Sequence, residues 1–81
     1  MNNLSDSSPL YLVEEDIIFN NIDELIDYLN SKHQLKRGDD LEVLIAPVIN
    51  TKGILSPDLT SQQKYYFAVM NQGLVLIGEQ R

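Results

Sequence analysis

The run Leu41-Glu42-Val43-Leu44-Ile45-Ala46-Pro47-Val48-Ile49 constrains this chain more than any other stretch. It is apolar apart from one carboxylate, rich in β-branched side chains and far too short to cross a bilayer, so it predicts a buried strand. Turn-forming residues bound it on both sides: Lys36-Arg37-Gly38-Asp39-Asp40 ahead and Asn50-Thr51-Lys52-Gly53 behind. Pro47 sets a condition on that strand, because its nitrogen has no hydrogen to donate to a neighbour. Either the nitrogen faces away from the ladder, or a bulge interrupts the pairing there.

A helix is encoded over residues 21–33. Asn21 is a capping residue, and Glu24 three positions on completes an asparagine version of the capping box. Ile22, Leu25, Ile26 and Leu29 follow the i, i+3, i+4, i+7 spacing, which makes one face apolar. Asp23, Glu24 and Asp27 come early and Lys32 and His33 late, as the helix dipole favours.

Around these two elements the chain reads as sheet. Residues 10–13 predict a strand, and Ile17 to Phe19 follow the acidic trio Glu14-Glu15-Asp16. The trio is either a turn into a second short strand or the exposed middle of one interrupted strand. Asn50-Thr51-Lys52-Gly53 predicts a four-residue hairpin loop that returns through Ile54 and Leu55. Residues 59–71 are ambiguous. Ser56 as cap and Pro57 at the first helical position would open a helix. Tyr65-Tyr66-Phe67-Ala68-Val69-Met70 favours strand instead, and Asn71-Gln72-Gly73 suits a type I turn closed by a glycine bulge before Leu74-Val75-Leu76-Ile77. The hairpin is the preferred reading.

At 81 residues there is room for one modest core, expected over residues 10–81 after a disordered leader at residues 1–9. Domains this small commonly gain support from disulfides, metals or self-association. With no cysteine and one histidine, self-association is the support left open, and neither a metal nor a cofactor is expected. The net charge of −6 argues against binding nucleic acid or an anionic membrane surface directly. The acids are unevenly placed: seven of the twelve lie in residues 1–30, which hold no Lys or Arg. No targeting signal or membrane span is visible, so the cytoplasm is the expected compartment.

Signals for catalysis are weak. His33 has no partner that the sequence places beside it, and in the last turn of an acidic helix it complements the dipole. Glu14-Glu15-Asp16 and Asp39-Asp40 lack the spacing of a calcium loop. Phosphate-binding glycine loops and the nucleophile elbow are missing. Arg37-Gly38-Asp39 is explained by a turn before a strand. An enzyme is therefore not expected.

Two groups stand out as partner-facing. The carboxylates Glu14, Glu15, Asp16, Asp23, Glu24 and Asp27 form an acidic end, which either keeps the domain soluble or imitates nucleic-acid phosphates in a partner's basic groove. Tyr65 and Phe67 suit core or interface packing better than base stacking, since Lys64 alone is basic nearby. The fold expected is α+β: one amphipathic helix on a small, mostly antiparallel sheet, in the order β-α-β-β-β. The expected function is a non-enzymatic protein-binding module: a regulator, inhibitor or accessory subunit. Its partner would be another protein or a second copy, met by apolar sheet surface or an edge strand. The acidic mimic is the alternative, and a small carboxylate-based enzyme stands behind both.

Overall fold

The computed structural model describes residues 8–80. In chain order they form strands β1 (Leu10–Leu12) and β2 (Ile17–Phe19), helix α1 (Ile22–Lys32), and strands β3 (Asp40–Thr51) and β4 (Ile54–Pro57). A single 3₁₀ turn (Leu59–Ser61) then leads into β5 (Gln63–Met70) and β6 (Gly73–Gln80). The class is the expected one, with a single helix on an antiparallel sheet, and the strands number six. The expected leader at residues 1–9 lies outside the described residues, except for Ser8 and Pro9.

The apolar run is β3, and it lies at the centre of the sheet order β2-β1-β3-β5-β6. It is twelve residues long, longer than any of its three partners, and its pairing is divided along its length. Residues 45–47 face β1, residues 40–45 face β5, and residues 48–51 pair with β4. The Val13 N–H donates to the Leu44 carbonyl at 3.1 Å, so even-numbered residues of β3 turn their polar groups toward β1. Pro47 therefore turns its nitrogen toward the β4–β5 side. There the pairing passes from β5 to β4: Pro47 lies between the Ile45–Gln63 and Val48–Pro57 pairs, and its carbonyl accepts from the Asp58 N–H. The break lies in the neighbour, not in β3 itself.

The acidic trio is a turn into a second strand, which settles the choice left open by the sequence. Leu12 pairs with Ile17, the Asp16 N–H donates to the Leu12 carbonyl at 2.9 Å, and Asp16 takes a left-handed φ of 59°. The loop after β3 is tighter than expected: Thr51 pairs with Ile54, leaving only Lys52 and Gly53 in the turn. Both have positive φ, 53° and 85°, which is the twist a two-residue hairpin needs. The last hairpin follows the preferred reading. Asn71 and Gln72 make the turn, and Gly73 closes it at φ 113°. The alternative helix start at Ser56 and Pro57 is not adopted. Those residues belong to β4, and Asp58 caps only the short 3₁₀ turn.

Helix α1 begins where its cap requires. The Glu24 N–H donates to the Asn21 side-chain oxygen at 2.9 Å. The Glu24 carboxylate reaches back one residue further than in the usual box, accepting from the Asn20 N–H at 3.1 Å. Leu25 and Leu29 are fully buried, with Ile22 and Ile26 packed at the margin. Beneath them lie Leu10, Leu12, Phe19, Val43, Ile45, Tyr65, Phe67 and Leu74, all on the sheet face that α1 covers. Burying side chains of this size stabilises by about 1.5–3 kcal/mol each. The opposite face has no covering layer among the described residues. A register shift opposite Tyr66 and Phe67 places Ile77 as an extra residue in β6.

Candidate functional site

Seven large apolar side chains remain exposed in the described residues: Ile18, Ile49, Ile54, Leu55, Leu59, Met70 and Ile77. Four of them, Ile49, Ile54, Leu55 and Leu59, belong to β3–β4 and the turn that follows. This concentration has a structural origin. Beyond Pro47 the sheet narrows to the two strands β3 and β4, a ribbon that neither β1 nor β5 flanks. Ile49, Thr51, Ile54 and Ser56 share one side of the ribbon, while Val48, Asn50, Leu55 and Pro57 share the other. The first side continues the face that α1 covers lower down, but here Ile54 is 67% exposed.

The ribbon is held at both ends. At the tip the Gly53 N–H donates to the Asn50 side-chain oxygen at 3.0 Å. At the base the Asp58 N–H donates to the Pro47 carbonyl at 2.8 Å. Asp58 also organises the exit turn, accepting from the Thr60 hydroxyl at 2.6 Å and the Ser61 hydroxyl at 3.0 Å. These hydrogen bonds favour its ionised form and hold its carboxyl below the ordinary range. Exposed apolar side chains on a braced ribbon are pre-ordered for contact. Sequence reading missed this site because it took Leu55 and Ile54 only as a returning strand. The signal was the Pro47 break together with the run of apolar residues on both sides of a two-residue turn.

The expected partner-facing residues fall differently. Glu14, Glu15, Asp16, Asp23, Glu24 and Asp27 are all exposed, yet three already have partners within the chain. Glu15 forms an ion pair with Lys32 and accepts from the Tyr28 hydroxyl at 3.2 Å. Asp16 accepts from the Tyr11 hydroxyl at 2.6 Å, which raises the Tyr11 pKa, and Glu24 serves the helix cap. For Tyr65 and Phe67 the choice between core and interface packing falls to the core, so these two do not face a partner. Both lie in the core under α1, 6.4 Å apart between ring centres, with Phe67 fully buried. Alternation along β5 turns the intervening Tyr66 to the uncovered face instead.

Two depressions lie among the described residues. One, of about 260 Å³, lies between the β1–β2 turn, the end of α1 and β3, and brings Glu14, Glu15, Tyr28, Lys32 and His33 together. Its polar centre is the Glu15–Lys32–Tyr28 cluster, whose hydrogen bonds are made internally. The other, of about 510 Å³, is an open concavity on the uncovered face beside Asp40, Glu42, Tyr66 and Ile77. Glu42 lies 3.9 Å from the Lys64 ammonium there. No group of three potential metal ligands converges among the described residues, and none of their helices is long and apolar enough to cross a membrane. Compared with family models, curated proteins and solved structures, this chain matches none.

Proposed function

We propose that this chain is a non-enzymatic protein-binding module, a small regulator, inhibitor or accessory subunit that docks a partner protein on the β3–β4 ribbon. One observation supports the reading above others: four of the seven exposed large apolar side chains gather on the ribbon and its exit turn. A partner would cover Ile49 and Ile54 on one side of the ribbon and Leu55 on the other, with Leu59 at the exit turn. Recognition would rest on apolar burial, at ~25 cal/mol per Å² removed from water, with ladder-free backbone near the tip adding orientation.

The acidic-mimic reading draws less support, because Glu15, Asp16 and Glu24 are engaged inside the chain. An enzymatic reading draws less support because the polar groups of the depression at His33, Glu15, Lys32 and Tyr28, are engaged with one another. The test is comparative affinity capture from the source cells, with the wild-type chain and with Ile54→Asp and Leu55→Asp. The proposal expects a discrete protein that the wild type retains in high salt and both variants lose. Retention by the variants, with release at moderate salt, would transfer the role to the carboxylates.

A further inference from the structure

The sheet ends on one side at β2, three residues long, and on the other at β6, eight residues long. A long edge strand with unpaired backbone is a template for another strand, and proteins usually blunt it with lysine, proline, a bulge or a short length; in β6 the bulge at Ile77 leaves residues 73–76 as the regular stretch. Residues 73–78, Gly-Leu-Val-Leu-Ile-Gly, contain no lysine, proline or other charged residue. The direction of their polar groups follows from β5. The Val69 N–H donates to the Asp39 carbonyl at 2.9 Å, so Val69 turns toward the sheet centre and Ala68 toward β6. Ala68 opposes Val75, and Val75 therefore turns inward while Leu74 and Leu76 present their N–H and C=O groups outward.

We infer that β6 pairs with β6 of a second copy across a two-fold axis at Val75, joining the two sheets edge to edge. This deepens the binding-module reading, naming a second copy as the partner of a surface distinct from the ribbon. The register is self-complementary. Leu74 of one copy meets Leu76 of the other in a hydrogen-bonded pair, the axis repeats that pair, and the two Val75 side chains stand side by side on the uncovered face. The stretch that pairs, Gly73 to Ile77 of each copy, holds no charged residue, so no two carboxylates oppose each other there despite the net charge of −6. The acidic β1–β2 turn lies at the opposite edge of the sheet. A second copy also answers the need of a chain this small for support beyond its own core, with no cysteine to provide it.

The experiment combines light scattering, crosslinking and amide exchange on the full chain. The wild type is expected at twice the mass of one chain, and Val75→Lys at the mass of one chain with unchanged circular dichroism. Val75→Cys is expected to form an intermolecular disulfide on mild oxidation, whereas Ile54→Cys is not. If Val75→Lys fails to fold, the wild type still decides, because the Leu74 and Leu76 amides are protected in the pair and exchange freely in a single copy. A wild type of single mass overturns the inference. So does a double mass with freely exchanging Leu74 and Leu76 amides. Ile54→Asp leaves all these readouts unchanged, so failure here and failure of the ribbon reading are told apart.

Discussion

The Asp58 N–H closes on the Pro47 carbonyl at 2.8 Å, at the point where the partner of β3 changes from β5 to β4. Pro47 offers an acceptor but no donor, and the 3₁₀ turn is where the chain leaves the ladder. The two facts fit each other. Together they fix where the full sheet stops and the two-stranded ribbon begins, and so which apolar side chains are exposed among the described residues.

Asp58 should make that junction sensitive to acid. Its carboxyl is held below the ordinary value of 3.8 by hydrogen bonds from Thr60 and then Ser61. A lowered folded-state value means the contribution is present above the unfolded value and is lost as pH falls through the folded one. Asp58→Asn should therefore flatten the acid limb of stability, read as urea midpoints from neutral pH down through the carboxylate range. An unchanged acid limb would show that the hydrogen bonds contribute nothing to folding.

The ribbon tip carries a correctable strain. Lys52 has a φ of 53°, a region that costs a residue with a Cβ ~1–2 kcal/mol and that asparagine tolerates better. Lys52→Asn should stabilise by up to ~1 kcal/mol in urea unfolding. Gly53→Ala should destabilise by ~1–2 kcal/mol through the backbone alone, since nothing lies within 4 Å of the added methyl. A neutral result for both would mean that the turn relaxes away from this geometry.

At high pH the core should respond through Tyr65. Burial first, and the Glu79 charge second, raise its pKa above 10.0. The unfolded chain then ionises before the folded one, so stability is full below the ordinary tyrosine value and falls as pH rises through the folded one. Alkaline titration by phenolate absorbance should show Tyr11 and Tyr65 ionising late, and Tyr65→Phe should remove one of the two late steps. Loss of a different step would place another ring in the core position.

The elements with one-sided signals were legible before the fold was known. Asn21 and Glu24 bracket a helix whose apolar face is unambiguous, and the structure starts α1 one residue after Asn21. Asn71 to Gly73 named their own turn type. What escaped was any choice that needed the other side of a contact. Tyr65 and Phe67 are two residues apart and so share a face, but β5 is apolar on both faces, and only α1 decides which one is covered. Likewise Pro47 required that its nitrogen face away from a ladder or that a bulge sit there, without saying which. Turn length at Lys52 depended on pairing of Thr51 with Ile54, which no local preference fixed. The exposed ribbon was hidden for the same reason: its residues read as sheet, and only the ends of β1 and β5 leave them bare.

The ribbon as docking surface is tested most directly by site-specific photocrosslinking in the source cells. A benzophenone side chain would replace Ile54 in one version of the chain and Asp27 in the other. The account predicts one discrete adduct with another protein from position 54 and none from position 27. An adduct from position 27 with none from position 54 would contradict it.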